Sequence, residues 1–249
     1  MIQLKLMINI RILLFILIPI GYGQLLAQNQ YFEFGVGLKS DKFNIKQPEP
    51  IFDLNIDLGA MAFLSYGRII NKKWDWEAGI ATNNYKVNFN LFVKEGDFYF
   101  TRELVSVMRS NRLFLNIKHK TKTLNSKLFW TNTFGISVLI GAQNPYDVIL
   151  DRHKEVKTAT STESIDLKVK TFGLTGSAIL INAGSKLYYT LNPNLKLAAN
   201  FELITGMSEL TKVEIDYVIG SSTSYKKAVI HSNGFSTLFN IGTIYSWDK

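Results

Sequence analysis

Cysteine is absent from this 249-residue chain. Disulfides, thiolate metal sites and a lipid-modified cysteine are therefore excluded. Long apolar runs are lacking too. The stretch 12–20 is about half of the ~20 residues a membrane-crossing helix requires, and Pro19 interrupts it. Any membrane span must be built of strands, closed on themselves so that no backbone group is left unpaired in lipid. No basic helix or nucleic-acid-binding motif accompanies the positive charge, so nucleic acid is not an expected partner. The three histidines, His119, His153 and His231, are not at metal-ligand spacing. Gly173-Leu174-Thr175-Gly176 reads as part of a strand, and Gly35 and Gly37 as inward-facing relief of crowding. No phosphate loop, metal or cofactor is expected.

What is present begins with an export signal. Lys5 and Arg11 precede the apolar run, and small or polar residues follow it. Cleavage after Ala27 places the mature start just before the first strand, and Gly21-Tyr22-Gly23 offers a second site. The expected division is a cleaved signal over 1–27 and one barrel domain over 28–249. Losing Lys5 and Arg11 lowers the formal charge from +8 to +6, spread along the chain and interleaved with acids. Such a surface is either simply solvated or drawn to anionic headgroups and glycans.

Most of the mature chain alternates with period two, the signature of strands that turn successive side chains to opposite faces. Phe32, Phe34, Val36 and Leu38 alternate with Glu33, Gly35, Gly37 and Lys39. Further strands are predicted over 58–70, from Trp74 with an extension over 85–93, and over 112–120, 128–142, 170–191 and 195–203. The last, 234–247, sets Phe235, Phe239, Ile241, Tyr245 and Trp247 against a small, mixed face. In 170–191 the apolar phase shifts near 182–185, which predicts a bulge there.

The connections carry the argument further. Short turns fall near Asn71, Asn125 and Asn192, and long polar stretches follow Ser40, Val93, Gln143 and Met207. Long and short alternate without exception. A transmembrane barrel sorts its connections this way, with short turns at one end, longer loops at the other and an even strand count from eight upward. The predicted fold is all-β, an antiparallel up-and-down transmembrane β-barrel of eight strands. Ten strands fit if the long connections conceal another hairpin.

With its export signal, eight-strand cadence, the segment NKKWDWEAGI at 71–80 and an aromatic alternating C-terminal strand, the chain resembles the small porin-like outer-membrane β-barrels of Gram-negative bacteria. Members end on an aromatic residue, whereas Asp248 and Lys249 follow Trp247 here. The resemblance implies residence in the bacterial outer membrane. It also implies contact with outer-membrane lipid and lipopolysaccharide, and insertion by the barrel-assembly machinery. The group spans structural proteins, adhesins, narrow channels and a few enzymes, so fold alone does not assign an activity.

An eight-stranded barrel has an interior that side chains can fill. Glu33, Asp75, Glu77, Lys118, Lys196 and Glu202 are predicted to face inward as a charge network that plugs it. Glu77 and Lys118 lie on adjacent strands, within reach across the ladder. Trp74, Trp76, Trp130, Tyr189, Tyr245 and Trp247 are read as membrane-interface anchors. His153 beside Asp151, and His231 beside Ser232, lie where a rim hydrolase would keep its residues, although adjacency in sequence does not make a triad. The leading expectation is a non-enzymatic barrel with a structural role, or one that meets an extracellular ligand through four long loops. A narrow channel, a lipid-modifying enzyme or protease, and a soluble lipid-binding barrel with its faces inverted are the alternatives.

Overall fold

A computed structural model describes residues 30–48, 52–56, 58–93, 98–99, 103–141, 150–157, 162–172, 177–219 and 224–247. The proposed signal segment lies outside them, as do residues 173–176. In chain order the strands are β1 (Gln30–Asp41), β2 (Asn44–Lys46), β3 (Phe52–Asn55), β4 (Leu58–Ile69), β5 (Trp74–Val93), β6 (Phe98–Tyr99), β7 (Glu103–Thr123) and β8 (Leu128–Gly141). They continue as β9 (Leu150–Lys157), β10 (Thr162–Phe172), β11 (Ser177–Asn192), β12 (Leu195–Gly206), β13 (Thr211–Ile219), β14 (Lys226–Ser232) and β15 (Ser236–Trp247).

Eight of these strands close a ring in the order β1, β4, β5, β7, β8, β11, β12, β15 and back to β1. All pairings are antiparallel. The closing seam runs unbroken from Gln30 opposite Trp247 to Asp41 opposite Ser236. Ten wall strands are therefore excluded. The three tight turns share one device. Asn71 Oδ1 accepts from the N–H groups of Lys73 and Trp74 at 2.9 and 3.0 Å, and Asn125 Oδ1 from those of Lys127 and Leu128 at 2.9 and 2.8 Å. Asn192 Oδ1 accepts from Asn194 N at 3.0 Å. A short carboxamide that mimics a backbone turn is why asparagine opens each hairpin.

Much of what is described of the long connections is strand. Residues 150–157, 162–172, 211–219 and 226–232 form a second sheet, ordered β2-β14-β13-β10-β9. This order repeats the barrel order β1-β15-β12-β11-β8, so each outer strand continues one wall strand beyond the barrel. Facing it stand the outer halves of β5 and β7, which are 20 and 21 residues long, with β3 added to the edge of β5. Gln47 joins the two walls, donating to Phe52 O and accepting from Phe52 N, both at 2.9 Å. Phe52, Val87 and Phe89 from one wall pack with Leu167, Val169, Val213, Ile215, Tyr217 and Ile230 from the other. The extension therefore has its own apolar core. The chain bends between the two bodies at 207–210, where inward parity changes from Ile204 to Val213, and at Gly234, whose φ of 80° suits glycine.

The bulge expected near 182–185 is absent. There β11 pairs in continuous register with both β8 and β12, and the register shifts only between Thr190 and Asn192. The apparent slip came from Ser185, which is polar yet points outward. Its hydroxyl donates at 2.9 Å to Asn132 Oδ1, another polar residue on that apolar surface.

Candidate functional site

The wall's alternation sorts residues cleanly. Phe34, Phe134, Ile136 and Ile241 are more than half exposed on the outside, while Glu33, Glu77, Lys118 and Lys186 inside are at most 3% exposed. From Trp130 to Ile140 the outward apolar band rises about 34 Å along β8, or roughly 25 Å along the axis at a ~40° tilt. That is the height of the outward apolar band of an outer-membrane barrel. Above it the outer surface becomes charged. Lys168 lies opposite Asp216, which lies opposite Lys227, and Lys170 lies opposite Glu214.

The interior is filled in layers. Nearest the turns, Tyr31, Tyr188, Ala198 and Ile244 pack together, and Phe129 stacks on Tyr188 with centroids 4.7 Å apart. Next comes a four-charge cluster. Lys186 Nζ donates to both Glu33 carboxylate oxygens at 2.9 and 2.8 Å, and Lys118 Nζ pairs with Glu77. The cross pairs close the square, with Lys118 to Glu33 at 3.5 Å and Lys186 to Glu77 at 3.7 Å. Lys118 also donates to Tyr31 Oη at 3.0 Å. Above this, Asn182 donates to Asn116 Oδ1 at 2.8 Å, and Arg112 pairs with Glu202 at 3.1 Å. Leu139, Leu180, Ile204 and Leu238 then fill the bore, and Lys39 pairs with Asp41 at 2.9 Å at its outer end.

Four cations, Lys39, Arg112, Lys118 and Lys186, thus meet four carboxylates, Glu33, Asp41, Glu77 and Glu202. Burying an ion costs several kcal/mol unless a partner offsets it, so charge balance is the condition for closing this lumen. The cavity between Phe63, Glu77, Arg112, Lys186 and Glu202 measures about 10 Å³. That is no more than one water needs.

No protein-family model and no curated protein matches the sequence. Among solved structures the chain is similar to the outer-membrane protein OprG of Pseudomonas aeruginosa, with 12% identity, 90% of this chain and 97% of that one covered, and a TM-score of 0.52. Neisserial surface protein A is also similar, at 10% identity, 87% and 96% coverage and a TM-score of 0.45. The fold is that of the eight-stranded outer-membrane β-barrel.

Of the six charges expected inward, Glu33, Glu77 and Lys118 lie in the central cluster, and Glu202 lies in the layer above it. Asp75 and Lys196 lie lower, in a cup at the turn end. Two principal members were missed. Arg112 has the parity of Asn116 and Lys118, so simple alternation marks it as inward. Lys186 was hidden by the supposed bulge.

The expected anchors line one rim of the outer surface. Tyr245 and Trp247 lie 6.3 Å apart, and Trp247 stacks on Phe32 at 5.2 Å. Phe32 meets Tyr66 at 5.5 Å, and Tyr66 meets Trp76 at 5.6 Å. Trp74 lies 4.5 Å from the His119 ring, and Trp130 Nε1 donates to Asn132 Oδ1 at 3.3 Å. Tyr189 is exposed beside the same turns. Phe32 and Tyr66, which are not among the expected anchors, complete the band.

The histidines do not assemble. His153 is on β9 and His231 on β14, separated by β10 and β13, and the register sets His153 level with Val218 but His231 level with Lys212, so their backbones lie more than about 14 Å apart. Ser232 faces the interior while His231 faces out, and the Ser232 hydroxyl donates to Lys42 O at 2.7 Å. Among the described residues no group of three metal-ligating side chains occurs.

Proposed function

We propose that this chain is a bacterial outer-membrane barrel with a sealed lumen that acts by recognition at its external sheet, without catalytic chemistry. The observation that carries this reading is the continuation of five wall strands into a second sheet with its own apolar core. Mobile loops would pay an ordering cost on binding, whereas a packed sheet presents its groups already placed. Its outward Lys168, Lys170, Lys212, Glu214, Asp216 and Lys227 interleave both signs. Such a face suits a polar partner of mixed charge.

In this reading residues 1–27 direct export, and Trp74, Trp76, Trp130, Tyr189, Tyr245 and Trp247 anchor the turn-side rim at the membrane interface. Lipopolysaccharide is met at the opposite rim, where Lys212 lies 5.8 Å from the Phe172 ring and Phe235 and Met207 are exposed. The dispersed histidines favour recognition over hydrolysis, and the small interior void favours a plug over a channel.

Planar-bilayer recording tests the closed lumen. The purified barrel is expected to give no stable conductance steps, and large, long-lived steps would overturn the reading. Trypsin applied to intact cells tests the platform. A packed sheet leaves the many external lysines protected, whereas rapid cleavage within 150–172 and 211–232 would show that it does not form.

A further inference from the structure

At the turn end the barrel does not close flush. An open cup of about 750 Å³ remains below the packed interior, with Tyr31, Ile69, Phe129, Tyr188 and Ile244 as its apolar lining. Lys72, Lys120 and Lys196 enter it against one carboxylate, Asp75. The Lys120 and Lys196 ammonium groups lie 4.7 and 5.7 Å from the centroid of the same Phe129 ring. They are thus at most 10.4 Å apart, the sum of those distances, a span that two flexible lysines can close around one anion.

The floor is rigid. Phe129 is stacked on buried Tyr188, and the Tyr31 ring lies flat over Gly67, where a Cβ would come within 2.1 Å of Tyr31 Cζ. The Tyr31 oxygen already accepts a hydrogen bond from Lys118, so what this phenol offers a ligand is its O–H. Gathered ammonium groups, a phenolic donor and an apolar wall form a recognisable set. They are the elements that hold a phosphate carried on a partly apolar body.

We propose that the turn-side cup is a binding site for a phosphate group, held between Lys120 and Lys196 over Phe129. The site lies below the sealed charge cluster, so its occupant enters and leaves by the same mouth. It is independent of whatever the external sheet recognises. Two sources present this chemistry at the turn side, a phospholipid headgroup and a soluble phosphate ester.

The test is a ³¹P chemical-shift titration of the full chain in a zwitterionic detergent at low salt, with inorganic pyrophosphate as the probe. Saturable binding is expected. It should weaken at least tenfold in a Lys120→Gln/Lys196→Gln variant and be unchanged in Lys227→Gln on the external sheet. Retained heat-modifiable gel migration verifies that each variant is folded. Absence of saturable binding, an unaffected double variant, or an equal loss in Lys227→Gln would each overturn the proposal. Phosphatidylglycerol in mixed micelles identifies the source once pyrophosphate binding is established. Competition assigns a headgroup, and pyrophosphate binding undisturbed by the lipid assigns a soluble ester.

Discussion

Lys186 shows what single residues do in this lumen. Its ammonium reaches both Glu33 oxygens and approaches Glu77, at 3% side-chain exposure. Removing it alone would strand a carboxylate where no water can follow. Lys186→Met is therefore expected to cost about 3–5 kcal/mol. The paired change Lys186→Met/Glu33→Leu should recover most of that loss, because a neutral apolar pair leaves nothing unpaired. Urea unfolding in detergent, followed by tryptophan fluorescence, measures both. Equal losses in the single and double variants would show that the cluster is not coupled. Three of the four members of this cluster were legible in the sequence. Glu33, Glu77 and Lys118 alternate with apolar neighbours, and alternation alone determines facing. Lys186 follows the same rule, but the outward Ser185 obscured it. That residue's partner, Asn132, is 53 positions away, and no local pattern reveals such a pairing.

At the scale of elements, the hairpin β13–β14 makes a clear case. Val213, Ile215 and Tyr217 alternate with Lys212, Glu214 and Asp216, so the strand was present in the sequence and obscured only by the serine-rich stretch around it. Ile215 is wholly buried in the core of the extension. Ile215→Ala is expected to cost about 2–4 kcal/mol through lost burial and the cavity left behind. Hydrogen exchange should show faster opening of β10, β13 and β14 with the barrel strands unchanged. Uniform acceleration through β1 and β15 as well would mean that barrel and extension unfold as one. The same hairpin carries a pH dependence. Hydrogen bonds from Lys212 and then Lys227, each at 2.6 Å, hold the Glu214 carboxyl below its ordinary range. A depressed carboxylate stabilises the fold above its unfolded pKa and loses that contribution as pH falls through the folded value. Exchange in β13–β14 should therefore quicken only below the usual glutamate range. The effect will be small, because both lysines are substantially exposed and solvent screens them. Glu214→Gln should abolish this pH dependence.

For the whole molecule, the decisive feature is the reversal of its outer surface. The wall is apolar outside and charged inside, while the extension is charged outside and apolar inside. A body of this kind needs lipid or detergent around its lower half. It is expected to partition with membranes and to migrate on a gel as a compact species until boiled, since all of its wall strands are paired in a ring. Recovery as a soluble protein without detergent would contradict the arrangement and favour a barrel with inverted faces.

That the chain makes an antiparallel barrel, and that tight turns fall at Asn71, Asn125 and Asn192, was decided by the sequence alone, whereas the ring itself decided for eight wall strands over ten. The first two depend on local chemistry, namely period-two alternation and an asparagine that caps the turn. The tertiary structure alone decided which charges meet, that the long connections build a second sheet, and that the lumen is sealed in its middle yet open as a cup at one end. Those features depend on the stagger between strands around the ring. That stagger is set when the ring closes, and it places residues far apart in the chain at the same height in the barrel.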